Sequence, residues 1–211
     1  MNQEISHKIA SYLLEIEAVK FNFEEPFTWA SGVKSPVYCD NRLALSYVEL
    51  RSLIRDAYIE LIKQEFPQVE IIAGVATGAI AQGALVADRM NLSFIYVRAE
   101  AKKYGQKKTI EGILGKGQKT VILEDHISTG KSSIKVLENL REEGADVLGM
   151  VATLSYGLPL ADENFKKNNC KLFTLSEFST LIAIAVENGY INKEDLEKMH
   201  EWLKNPTEYY Q

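Results

Sequence analysis

The sequence predicts an α/β fold, with a mostly parallel central sheet flanked by helices and a small hood built from the N-terminal segment. Three observations carry this expectation. From about Ser46 onward, short apolar runs suited to buried strands alternate with longer segments of helical periodicity, the pattern of a parallel sheet covered on both faces. Two of those runs end in turns rich in small residues that open helices. Residues 18–42 lack this regularity and instead interleave aromatic and small polar residues.

In chain order, Ile5, Ile9, Leu13 and Ile16 repeat at helical spacing and predict an amphipathic opening helix over 3–16. Ala18-Val-Lys-Phe-Asn-Phe is strand-like, and Phe27–Gly32 and Lys34–Asp40 suggest two extended pieces around a glycine turn. The regular part follows as a helix to Gln64, a strand Val69–Ala73, a helix around Ile80–Arg89 and a strand Ser93–Val97. Next come a strand Thr120–Leu123, a helix Ser132–Glu143, and strands Val147–Leu154 and Lys171–Leu175. Segments Ser176–Glu187 and Lys193–Leu203 read as closing helices. A single domain over 1–211 is expected, with the hood at about 18–42, the core at about 46–175 and the closing helices at about 176–204.

Composition excludes several classes. An apolar share of 46% and a charged share of 25% describe a folded globular chain. A net charge of −5 argues against a general nucleic-acid or acidic-membrane binder, so any anion site must be local. Cys39 and Cys170 form no C-x-x-C unit and fit reduced thiols, and His7, His126 and His200 share no metal-ligand spacing. With no signal-like start and no apolar run of membrane-spanning length, a cytoplasmic location is expected.

The most informative stretch is Val121–Ser133, where an apolar strand ends in Glu124 and Asp125 and leads through Ser128-Thr129-Gly130 into a helix whose inner face carries Ile134, Val136, Leu137 and Leu140. Backbone N–H groups of such a turn converge on an anion, while carboxylates at a strand's carboxyl end accept hydrogen bonds from sugar hydroxyls. A sugar phosphate suits both. Gly130-Lys131-Ser132 resembles the tail of a nucleotide-triphosphate P-loop, but the leading glycine of that motif would fall on Asp125. No G-x-G-x-x-G spacing supports a dinucleotide site either. The plainer alternative is a turn whose Ser or Thr only caps the helix; against it stands the adjacent acid pair, which gains nothing for folding unless compensated.

Three further constellations join this one. Gly74–Gly83 follows an apolar strand, and its small residues Ala76, Gly78 and Ala79 with the hydroxyl of Thr77 make a second phosphate loop, or merely a tightly packed turn. Arg98–Lys108 carries five cations and one anion in a connection of about twenty residues, a length that marks a functional loop or a solvated one. Such a loop can close on a phosphate-rich substrate and neutralise charge on a leaving group. In the segment 25–42, Trp29 and Tyr38 offer flat packing surface for a planar ligand or a local core, and Lys34 and Arg42 offer charge.

Taken together, these segments resemble the orotate phosphoribosyltransferases, a type I phosphoribosyltransferase family of pyrimidine synthesis. Glu25–Gly32 with Ser35–Arg42 looks like the amino-terminal hood of one bacterial branch, Ile122–Ser132 like the phosphoribosyl pyrophosphate (PRPP) motif, and Val97–Gly112 like the catalytic loop. The resemblance implies transfer of phosphoribosyl to N1 of orotate with release of pyrophosphate. It implies that Glu124 and Asp125 bind the ribose hydroxyls, that Ile127, Ser128, Thr129, Gly130, Lys131 and Ser132 hold the 5-phosphate, and that His126 is among the PRPP-binding residues. Ser128 would also touch orotate, while Ala76, Thr77 and Gly78 would form the pyrophosphate loop. Arg98, Lys102 and Asp125 are the implied catalytic residues, with Tyr104 beside PRPP where the family usually has histidine. Ala99, His126 and Lys131 also depart from common family residues. Mg²⁺ would be carried mainly by PRPP with no direct protein ligand, and the loop would act across a homodimer interface. A phosphoribosyltransferase for another base and a weakly active PRPP-binding regulator are the alternatives; the acceptor is read by the hood and not by the PRPP turn.

Overall fold

The computed structural model describes residues 2–29, 32–100 and 108–210. Helix α1 (Gln3–Glu15) begins at Asn2, whose side-chain oxygen accepts from the N–H groups of Glu4 and Ile5, and buries Ile9 and Leu13. Strands β1 (Val19–Phe21), β2 (Phe27–Thr28), β3 (Lys34–Ser35) and β4 (Val37–Cys39) build the hood as two antiparallel pairs, β1 with β4 and β2 with β3. A 3₁₀ turn, Asn41–Ser46, leads into α2 (Val48–Glu65). Then follow β5 (Ile71–Val75), α3 (Ile80–Met90), β6 (Ser93–Val97), β7 (Ile110–Glu111), β8 (Lys119–Ile127), α4 (Lys131–Glu142), β9 (Asp146–Ser155), α5 (Pro159–Lys167), β10 (Leu172–Glu177), α6 (Phe178–Glu187) and α7 (Lys193–Lys204).

The main sheet has six strands in the order β10-β9-β8-β5-β6-β7, all parallel except the edge strand β7. Its centre is apolar on both faces: every residue of β5 is buried, and Val121, Ile122 and Leu123 of β8 are fully enclosed. From β5 the chain runs outward through α3 to β6, then returns to place β8 on the other side of β5. The strand order therefore reverses between β5 and β8, and open α/β sheets bind ligands at the carboxyl end of such a switch.

Strand β8 extends four residues beyond the predicted Leu123. Its ladder with β9 continues to Ile127↔Ser155, so backbone pairing keeps Glu124, Asp125 and His126 extended although the apolar run has ended. Helix α4 likewise starts at Lys131, which puts Lys131 and Ser132 in its first turn. The chain re-enters the sheet at β7, which pairs antiparallel with β6 through Tyr96↔Glu111 and Val97↔Ile110. Trp29 belongs to a hood-to-core aromatic cluster. Its ring lies 4.9 Å from Tyr156 and 5.5 Å, edge to face, from Trp202 of α7. Trp202 in turn donates from Nε1 to the Lys34 carbonyl at 2.9 Å, so the closing helix fastens the hood.

Candidate active site

At the carboxyl end of β8 the two acids have different surroundings. Glu124 is 4% exposed; its Oε2 accepts from Ser133 Oγ at 2.8 Å and its Oε1 from the Asp125 N–H at 3.1 Å. Burial, and then the charge of Asp125, push its carboxyl well above the usual range. Asp125 is less enclosed. Burial also acts to raise its carboxyl, but contact with the His126 side chain, the charge of that imidazole and the His126 N–H at 2.7 Å outweigh it and hold Asp125 at about 2. Of the two, Asp125 is the one exposed enough to accept hydrogen bonds from sugar hydroxyls, with Glu124 held in place behind it.

Behind the acids is a polar scaffold that the sequence reading did not find. Tyr58 of α2 donates from its hydroxyl to the Glu124 carbonyl at 2.6 Å and pairs with Thr153 of β9 at 2.8 Å. Asn41, at the end of the hood, donates from Nδ2 to the Asp125 carbonyl at 2.8 Å and accepts from the buried Cys39 thiol at 3.0 Å. β8 pairs with β5 only as far as Leu123, and these side chains serve carbonyls past that point. Asn41, Tyr58 and Thr153, with Gly78, Glu124 and Asp125, line a small cavity of about 20 Å³, one water in size. No local motif marks Tyr58 or Thr153, since their role depends on α2 and β9 meeting β8.

The turn after β8 is shaped for an anion. Gly130 has φ +73°, a left-handed geometry, and a β-carbon there would come within 2.9 Å of the Phe165 ring. Asn164 of α5 donates to the Thr129 carbonyl at 2.9 Å, tying the turn from outside. Among the described residues no side chain caps α4, so helix geometry leaves the N–H groups of Lys131, Ser132 and Ser133 for a ligand. That disposes of the simple capping alternative for Ser128 and Thr129. Ile127 is buried, while Ser128 and Thr129 are half-buried and Lys131 and Ser132 exposed.

The loop after β5 meets the acid directly. Ala76 donates its N–H to the Val97 carbonyl at 2.8 Å, Thr77 is exposed, and a β-carbon at Gly78 would overlap the Asp125 carboxylate. The two turns of the switch point are therefore in contact. At the basic segment, Arg98 donates its N–H to the Thr109 carbonyl at 2.8 Å, and Asn139 of α4 donates to the carbonyls of Arg98 and Ala99 at 2.9 and 3.2 Å. The Arg98 guanidinium rests over the Tyr96 ring, 5.5 Å from its centre. Lys102 and Tyr104 lie outside the described residues.

At the β5–β8 switch the acid pair, the uncapped start of α4 and the loop after β5 come together, with a basic segment rooted beside them. The family model described as "Phosphoribosyl transferase domain" matches residues 46–180. An orotate phosphoribosyltransferase from Cytophaga hutchinsonii is 50% identical over 96% of this chain and 97% of its own. Among solved structures, orotate phosphoribosyltransferase from Aeropyrum pernix aligns with TM-score 0.72 and 27% identity over 83% of this chain and 98% of its own. Leishmania donovani UMP synthase aligns with TM-score 0.80 and 26% identity over 94% of this chain, which spans only 42% of that longer chain. The chain belongs to the orotate phosphoribosyltransferase family.

Proposed function

We propose that this chain transfers the 5-phosphoribosyl group of PRPP to N1 of orotate, giving orotidine 5′-monophosphate and pyrophosphate. The family membership supports the reaction, and the observation that carries the site assignment is the uncapped start of α4 directly beyond the Glu124–Asp125 pair. In this reading the N–H groups of residues 129–133 and the hydroxyls of Ser128 and Ser132 hold the 5-phosphate. Asp125, ionised, accepts from the ribose hydroxyls, and buried Glu124 supports it from beneath. Ala76–Gly78 cradle the pyrophosphate, and Ser128 also meets orotate.

At the transition state the ribose C1 gains oxocarbenium character while pyrophosphate gains negative charge. Cations set against that growing charge, Arg98 and Lys102 in this reading, would stabilise the transition state more than the bound substrate. Tyr104 would supply a phenol beside PRPP. Among the described residues no three His, Cys, Asp or Glu side chains converge as a metal cage. Mg²⁺ in this reading rides on PRPP oxygens, where it offsets the charge of the pyrophosphate. The reading includes a homodimer with the 98–112 loop reaching the partner's site. It also includes a cytoplasmic location, supported by the two unbridged cysteines, Cys39 and Cys170, and by the lack of any described helix long and apolar enough to cross a membrane.

The test is the ultraviolet loss of orotate on addition of PRPP and Mg²⁺. Turnover with stoichiometric pyrophosphate supports the reading; PRPP binding without turnover contradicts it.

A further inference from the structure

His126 is an unexpected neighbour for the ribose acid. It follows Asp125 in β8, and its Nδ1 lies 3.3 Å from Asp125 Oδ2. That nitrogen is wholly buried and too poorly aligned for a hydrogen bond, so the contact is one of charge. About a third of the side chain stays exposed, and the ring stands edge to face with Tyr156 at 6.1 Å. Arg42 is engaged by Asp40 through two hydrogen bonds of 2.6 and 2.8 Å and is thus already paired. Among the described residues, His126 makes the ion-pair contact to the Asp125 carboxylate.

We infer that His126 is a positioning residue for PRPP capture: its imidazole, 3.3 Å from the carboxylate, keeps Asp125 aimed at the ribose hydroxyls. This rests on the function proposed above. A carboxylate steered by a neighbouring cation loses that steering when the cation is neutralised, and a misaligned acceptor makes weaker hydrogen bonds to hydroxyl donors. The groups facing the imidazole are Asp125 on its own strand, Asp40 and Arg42 at the end of the hood, and Tyr156 beyond β9. Burial disfavours the imidazolium and Arg42 repels it, yet Asp125 and Asp40 together raise its protonation range above the ordinary histidine value. The countercharge is therefore present at and below that raised range and is lost as pH climbs through it.

The experiment measures KM for PRPP and kcat from about pH 6 to about pH 9 in the wild type, His126→Gln and His126→Val. The wild type should show KM rising roughly three- to tenfold across the imidazole titration while kcat changes less, and both variants should lose that inflection and stay near the alkaline wild-type value. An unchanged inflection in either variant overturns the proposal. A readout independent of turnover is NMR titration of the three histidine rings, His126 being assigned by the His126→Gln spectrum. Asp125→Asn should lower the His126 titration toward the ordinary value, and an unmoved titration overturns the pairing. Because this titration needs neither PRPP nor orotate, its failure is distinct from failure of the enzymatic reading.

Discussion

Gly78 and Asp125 pack so closely that a β-carbon at position 78 would occupy the space of the Asp125 carboxylate. The loop after β5 and the acid at the end of β8 are thus one surface, and the absence of a side chain at 78 is a condition for the carboxylate's position. Gly78→Ala should displace Asp125 at a cost of about 1–3 kcal/mol, shared between folding and ligand contact. The measurement is PRPP affinity together with thermal unfolding. Unchanged values for both would mean that the carboxylate moves freely and that the close approach has no consequence.

Asp125→Asn keeps the shape of the side chain and removes its charge. It should weaken PRPP binding by roughly tenfold or more, since hydrogen bonds to a charged acceptor are the stronger kind. Calorimetric titration gives the dissociation constant directly, and a wild-type value would remove the ribose role.

Lys102→Ala should lower kcat on the order of a hundredfold and leave PRPP binding nearly intact, because the contact forms as charge develops on the leaving group. Equal losses in both would assign the residue to ground-state binding. Mixing this variant with Asp125→Asn should restore part of the activity through hybrid dimers if the loop acts across the interface. No recovery after demonstrated subunit exchange would place the loop on its own chain.

Ser133→Ala removes a 2.8 Å hydrogen bond from a buried carboxyl group. The expected cost is about 1–3 kcal/mol, read as a lower midpoint in denaturant. A midpoint within error of the wild type would show that a water replaces the hydroxyl.

The two acids give opposite dependences of stability on pH. Asp125 sits at about 2, below its ordinary 3.8, so it contributes stability above the ordinary value that is lost as pH falls toward 2. The Glu124 carboxyl is pushed above its ordinary range, by burial first, so the folded state binds its proton longer than the unfolded chain does and loses stability as pH rises. Glu124→Gln should therefore gain on the wild type as pH moves from about 5 to about 8, measured by denaturant unfolding at each pH. A difference that stays flat would mean that Glu124 titrates alike in both states.

The sheet was legible because Ile71–Ala73 and Val121–Leu123 are continuous apolar runs whose burial needs cover on both faces. The acid pair and the Ser128–Gly130 turn were legible because contiguous residues carry them. The extension of β8 through Ile127 was not, since pairing with β9 and not side-chain hydrophobicity keeps those residues extended. Tyr58, Asn41 and Thr153 were invisible for a related reason: Tyr58 is 66 residues and Asn41 84 residues from the carbonyls they serve. Their part in the site follows from the order of strands, which periodicity alone does not fix. Of the two readings of Trp29 the packing one holds, and the distant Trp202, which no local pattern links to it, completes that packing.

The most direct measurement is a crystal structure of the chain with orotidine 5′-monophosphate. The account predicts the phosphate on the backbone N–H groups at the start of α4 and the ribose hydroxyls on Asp125. A nucleotide lying elsewhere, with Asp125 facing only water, would contradict it.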